Sequence, residues 1–191
     1  MFSHILMMLA MPMNALADRP SAVGSIDSER RPVRCHWEKS ENASLCDQVI
    51  DGIEQAWTAQ VERLGWPAPL PDEDGLLDVY VSSMAGGYAY TQGTGVDADP
   101  DDGRTATSAF IVFDPDFDTT ISWTMLHEFN HVLQFGIDPN ESLSVAWEGV
   151  ATAMEWWSDR SLVAQDQYII DFQSDPWMGL VGNGYQFGVD S

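Results

Sequence analysis

The sequence has little positive charge. Only 8 of its 191 residues are lysine or arginine, against 30 aspartates and glutamates, so the formal net charge at pH 7 is −22. A surface this negative repels phosphate backbones and anionic lipid headgroups. We therefore expect neither nucleic acid nor an anionic membrane surface as a partner.

The sequence also lacks an apolar run long enough to span a bilayer. The longest run, residues 5–16, is shorter than the roughly 20 residues that a membrane helix needs, and it contains Pro12. The small residues Ala15-Leu16-Ala17 follow it, as in a secretory signal peptide, although the usual basic start is missing. We predict a signal peptide over residues 1–17 and one secreted or periplasmic domain over residues 18–191. No clear helix or strand is predicted at the end of this domain, which leaves open that the natural chain is longer.

Cysteine is scarce as well. Cys35 and Cys46 are the only two cysteines and lie eleven positions apart, too few for a zinc site built from thiolates. In an exported chain such a pair favours a disulfide, with a reduced pair as the alternative.

Helical periodicity is present in three segments and strand character in two. The periodic apolar residues predict helices over residues 45–64, 119–135 and 143–158, and short apolar runs predict strands over residues 76–81 and 108–114. Gly65 ends the first helix, Asp118 or Thr119 is the expected N-cap of the second, and Gly136 ends it. We interpret residues 18–41 as a polar lead and residues 86–103 as a glycine-rich turn followed by an acidic loop. The expected fold class is α+β.

The acidic loop contains Asp97, Asp99 and Asp101 at alternate positions, as calcium-binding loops do. The glycine and glutamate that an EF-hand needs at its sixth and twelfth positions are missing. A solvated loop is the first interpretation, and a Ca²⁺ site is the alternative.

The motif with the clearest chemistry is His127-Glu128-Phe129-Asn130-His131. At about 100° per helical residue, His131 lies roughly 40° and Glu128 roughly 100° from His127, while the apolar neighbours occupy the opposite arc. Two imidazoles one turn apart can bind a single Zn²⁺, and the adjacent carboxylate can act as general base. We predict that this face of the helix lines a cleft.

A catalytic zinc site needs a third protein ligand. Glu148 lies on the next predicted helix, opposite the apolar residues that we expect to form its core face, and is the first candidate. Glu155 lies on the same face of that helix and is the alternative ligand or a partner of a ligand. The expected core face consists of Leu143, Ala146, Val150, Ala153, Met154 and Trp157.

Together with Trp147-Glu148-Gly149-x-Ala151, the motif resembles the gluzincin branch of the zincin metallopeptidases. More narrowly, residues 35–190 resemble uncharacterised secreted metalloproteases of myxobacteria and their relatives. The resemblance implies a zincin-like α+β fold: a small mixed sheet with an edge strand beside the cleft, an active-site helix, and a following helix with the third ligand. One departure is Thr152, which stands where the thermolysin-like pattern has aspartate.

The resulting hypothesis is peptide hydrolysis. His127, His131 and Glu148 would hold one catalytic Zn²⁺, and Glu128 would take the proton of the attacking water. No downstream histidine is available to stabilise the oxyanion, so Tyr168 and Tyr185 are the candidate donors. The alternative is a secreted zinc- or calcium-containing binding or adhesion domain without turnover.

Overall fold

Five strands form one mixed sheet in the computed structural model, which describes residues 18–84, 88–97, 105–116, 120–140 and 144–159. The central three strands are parallel, and each edge strand pairs antiparallel with its neighbour. In chain order the strands are β1 (Gly24–Asp27), β2 (Val33–Trp37), β3 (Leu77–Val81), β4 (Ala89–Asp97) and β5 (Thr107–Phe113), and their spatial order is β1-β2-β3-β5-β4. The predicted α+β class is confirmed.

Three α-helices accompany the sheet in the described ranges: α1 (Leu45–Trp57), α2 (Ile121–Phe135) and α3 (Ser144–Ser158). All three predicted helices are confirmed. The first continues as a π-helix, Thr58–Arg63, which we call the π segment. Its wider turn is marked by the bond from the Leu64 N–H to the Ala59 carbonyl, at 3.0 Å. Gly65 follows with a φ of 81°, a conformation that favours glycine and ends the helix.

The start of α2 differs from its prediction. The N-cap is Thr120, whose side chain makes no capping hydrogen bond, whereas Asp118 and Thr119 lie outside the described residues. Gly136 is the C-cap, as predicted.

Two of the five strands were predictable from apolar runs. β3 and β5 fall within one residue of their expected bounds. The interpretation of residues 18–41 as a polar lead was wrong, because they contain β1 and β2. The interpretation of residues 86–103 as a turn and loop was wrong for Ala89–Asp97, which form strand β4. β1 and β4 are edge strands rich in polar or small residues, and β2 alternates polar and apolar residues over only five positions.

The main core lies between one sheet face and helices α1 and α2. Val79 and Ile111 from the central strands belong to the same apolar cluster as Ile53 of α1 and Phe129 of α2, and all four are fully buried. The predicted disulfide between Cys35 and Cys46 is confirmed and joins β2 to the first turn of α1. A disulfide agrees with an extracytoplasmic location, because such bonds are rare in the cytosol. Among the described residues, no helix is both long and apolar enough to cross a membrane.

The predicted core face of α3 was wrong. Val150 and Trp157 remain 37% and 45% exposed, while Ala151, Glu155 and Ser158 of the opposite face are buried. That face packs against α2 and carries carboxylates, and their burial is compensated by hydrogen bonds to the histidines of α2. The helix therefore buries the face that carries Glu148 and Glu155.

Candidate metal centre

Helix α2 places both histidines of the motif on one buried face. His131 is fully buried and His127 is 9% exposed. Because the two residues are one turn apart, their imidazoles meet, and their Nε2 atoms lie 3.1 Å from each other.

Helix α3 brings Glu148 to the same point. Its Oε2 lies 3.2 Å from Nε2 of His127, and its Oε1 lies 3.6 Å from Nε2 of His131. One ligand atom from each residue lies within 4.8 Å of the others. The three residues predicted as metal ligands are thus brought together, on two packed helices.

The other ring nitrogens of the histidines have separate partners. Nδ1 of His127 is hydrogen-bonded to the Glu155 carboxylate. Nδ1 of His131 lies 2.7 Å from Oε1 of Gln134, whose amide donates to the Trp147 carbonyl. Such partners fix the orientation of each ring and leave Nε2 for the metal. Glu155, the alternative ligand, therefore lies on the far side of His127 from Glu148.

The ionisable groups of this cluster shift one another's pKa values. Burial alone would lower the pKa of His127, but its hydrogen bonds to Glu148 and Glu155 and the nearby charge of Glu128 raise this pKa to about 10. Burial would raise the pKa of Glu148, but its close interactions with both histidines lower it to about 2. The pKa of Glu155 is raised by burial, against the opposing effect of His127. Without metal, these shifts favour the protonated form of His127 and the ionised form of Glu148.

Glu128 is directed toward the sheet edge. Its side chain is buried, and the Thr91 hydroxyl of β4 lies 2.8 Å from its Oε2. The close approach of α2 and β4 depends on Gly93, where a Cβ would lie 2.8 Å from the Phe135 ring. The predicted base is therefore in contact with edge strand β4, and its charge acts on His127.

The residues present fit a divalent transition metal. Oε1 of Glu148 is buried and has no hydrogen-bond partner among the described residues. Two neutral imidazole nitrogens and one carboxylate oxygen form a donor set that suits Zn²⁺ and leaves a coordination position for water. The group could hold a metal ion.

Several predicted features lie outside the described residues. They are the predicted signal peptide and the candidate oxyanion donors Tyr168 and Tyr185. In the alternative Ca²⁺ site, Asp99, Asp101 and the side chain of Asp97 also lie outside the described residues. The face of α2 that was predicted to line a cleft packs against α3, and both histidines are buried. Sequence reasoning missed Thr91 and Gln134, since β4 was not predicted and a helical glutamine carries no distinctive signal.

Comparison of the chain with models of protein families, with curated proteins and with solved structures finds no match. Support for a zincin-like site therefore comes from the motif and from the geometry of its residues.

Proposed function

We propose that the protein is a secreted zinc-dependent metallopeptidase that hydrolyses peptide or protein substrates. The observation that carries this proposal is the meeting of His127, His131 and Glu148, in which the buried Oε1 of Glu148 accepts no hydrogen bond from the described residues and lies 3.6 Å from Nε2 of His131. A glutamate next to a metal-binding histidine supports hydrolysis in particular, because metal binding alone does not require a base there.

His127, His131 and Glu148 would hold the zinc ion. When bound in such a site, zinc lowers the pKa of a coordinated water toward about 7 and polarises the scissile carbonyl. The Glu128 carboxylate accepts a proton from the attacking water as the C–O bond forms. It then transfers this proton to the leaving amine as the C–N bond breaks, which returns Glu128 to its starting state. Thr91 holds that carboxylate in place through its hydroxyl.

Strand β4 would bind the substrate backbone. Among the described strands it pairs with β5 alone, so its other edge offers backbone N–H and C=O groups to an extended peptide. A peptide added at this edge would lie beside the strand that contacts Glu128.

The first test is the zinc content of the purified protein beginning at Asp18, compared with three variants. We expect one zinc per wild-type chain and none in His131→Ala. His36→Ala is the matched histidine control, because His36 pairs with Asp78, away from the site, and this variant should keep its zinc. Glu128→Gln should bind zinc and lose turnover.

Each result has a distinct meaning. Wild-type protein that is folded but binds no zinc after metal is added would overturn the metal site. Zinc binding with full activity in Glu128→Gln would remove Glu128 as the base. Stoichiometric zinc with no cleavage of a mixed peptide library would contradict the peptidase and favour a zinc-containing binding domain.

A further inference from the structure

The π segment connects directly with the motif helix through Gln60. This side chain is fully buried, and its Nε2 donates to the backbone carbonyl of Leu126 at 2.7 Å. Its Oε1 accepts a hydrogen bond from Nδ2 of Asn130 at 2.9 Å. Leu126 and Asn130 are the residues immediately before His127 and His131. Gln60 thus binds the helix turn that presents both imidazoles.

The same segment also connects with α3, through Arg63. Nη2 of its guanidinium donates to the carbonyls of Trp157 and Ser158, at 2.9 and 3.0 Å. These carbonyls belong to the last turn of α3, where the backbone lacks helical partners and a cation is favourable. Glu155, the partner of His127, is in the same turn.

Two side chains of the π segment, three positions apart, reach two different helices. A π turn contains an extra residue and changes the direction of the side chains that follow it. Gln60 contacts α2 and Arg63 contacts α3. Such turns are rare and occur frequently at functional sites.

We propose that Gln60 and Arg63 are positioning residues of the metal centre. They hold α2 and α3 in the relative position at which Glu148 meets both imidazoles, without contacting the metal or the substrate. This inference rests on the proposed metal site. A change in the π segment therefore alters the geometry and the affinity of the site, while the ligands themselves stay unchanged.

The test uses the full domain loaded with Co²⁺, whose visible absorption reports coordination geometry, together with Zn²⁺ affinity from competition with a chelator. Gln60→Leu removes both hydrogen bonds to α2, and Arg63→Met removes those to α3 at an exposed position. Arg31→Met is the matched control. Arg31 pairs with Glu62 and Thr58 of the same segment and, in the described residues, has no hydrogen bond to α2 or α3.

We expect Gln60→Leu and Arg63→Met to weaken Zn²⁺ binding about 10- to 100-fold, the usual effect of losing a residue that supports a ligand, and to shift the Co²⁺ bands. Arg31→Met should bind both metals like the wild type, and Arg63→Lys should recover part of the affinity. Lower thermal stability with unchanged Co²⁺ bands and Zn²⁺ affinity would overturn the inference, because it would show a purely structural role. Arg63→Met decides the question by itself if Gln60→Leu does not fold. Wild-type protein that binds neither metal would instead overturn the proposed function.

Discussion

The Thr91 hydroxyl lies between two oxygens of Glu128, 2.8 Å from the carboxylate Oε2 and 2.9 Å from the backbone carbonyl. Through this contact, edge strand β4 and helix α2 share a residue pair at the position where the substrate and the general base would meet. The orientation of Glu128 is therefore coupled to the strand that would bind the peptide.

Removing the Thr91 hydroxyl is expected to slow turnover. Thr91→Val keeps the size of the side chain and should lower kcat about 10- to 100-fold, because Glu128 loses its orienting partner. KM and zinc content should change little, and Thr91→Ser should retain most of the activity. Steady-state kinetics on one peptide substrate measure this, and a Thr91→Val enzyme as fast as the wild type would contradict it.

Glu155 is expected to support a ligand without being one. Glu155→Ala should weaken zinc binding about 10- to 100-fold, because the His127 ring loses the partner of its Nδ1. Glu62→Ala, at an exposed ion pair, is the control and should bind zinc normally. Complete loss of zinc in Glu155→Ala, equal to that in His131→Ala, would instead identify Glu155 as a ligand.

The stability of the metal-free protein should fall at high pH through His127 and at low pH through Glu148. The pKa of His127 is raised from 6.5 to about 10, so its contribution to metal-free stability is complete below 6.5 and is lost as pH rises toward 10. The pKa of Glu148 is lowered from 4.5 to about 2, so its contribution is present above 4.5 and is lost as pH falls toward 2.

Metal-free protein should therefore lose thermal stability between pH 6.5 and 10, and His127→Gln should lose much less over the same range. Zinc-loaded protein should also lose less, because the metal replaces the proton on His127. Calorimetric melting curves across this range provide the measurement. Parallel curves for wild-type and His127→Gln metal-free protein would rule out the proposed protonation.

A side chain at Gly93 is expected to lower the stability of the fold. The Cβ of Gly93→Ala would lie within 3 Å of two atoms of the Phe135 ring, so we expect a loss of about 1–3 kcal/mol in the free energy of unfolding. Gly149→Ala is the control, because no atom lies within 4 Å of the added Cβ and alanine favours a helix. Urea denaturation measures both. Equal stability of Gly93→Ala and the wild type would show that α2 can move away from β4 without cost.

The disulfide should contribute measurably to stability. Closing the short loop between Cys35 and Cys46 is expected to be worth about 2–4 kcal/mol, chiefly through the unfolded chain. The midpoint of urea denaturation should fall on reduction, with no such change in a Cys35→Ala/Cys46→Ala variant. Two titratable thiols in the native, oxidised protein would contradict the bond.

The sequence was most informative where chemistry and periodicity coincide. The spacing of His127 and His131 predicted that they share one helix face, where they could hold a metal ion, because spacing alone determines which side chains share a face. The sequence predicted Glu148 as a ligand but not the burial of its face of α3, because periodicity alone assigns the core to the apolar residues and does not show the histidines that compensate the burial of carboxylates. Gln60 and Arg63 were also beyond prediction, since the partners that give them a role are distant in sequence.

In the described part of the chain, one edge of β4 has no partner strand, and this edge also affects how the protein should be handled. An unpaired strand edge can join the same edge of a second copy, and the net charge of −22 keeps copies apart at neutral pH. Near the isoelectric point of about 4.1 this repulsion disappears while the edge remains open. Concentrated stocks and crystallisation trials therefore belong well above that pH, where colloidal repulsion protects the edge that a substrate would use.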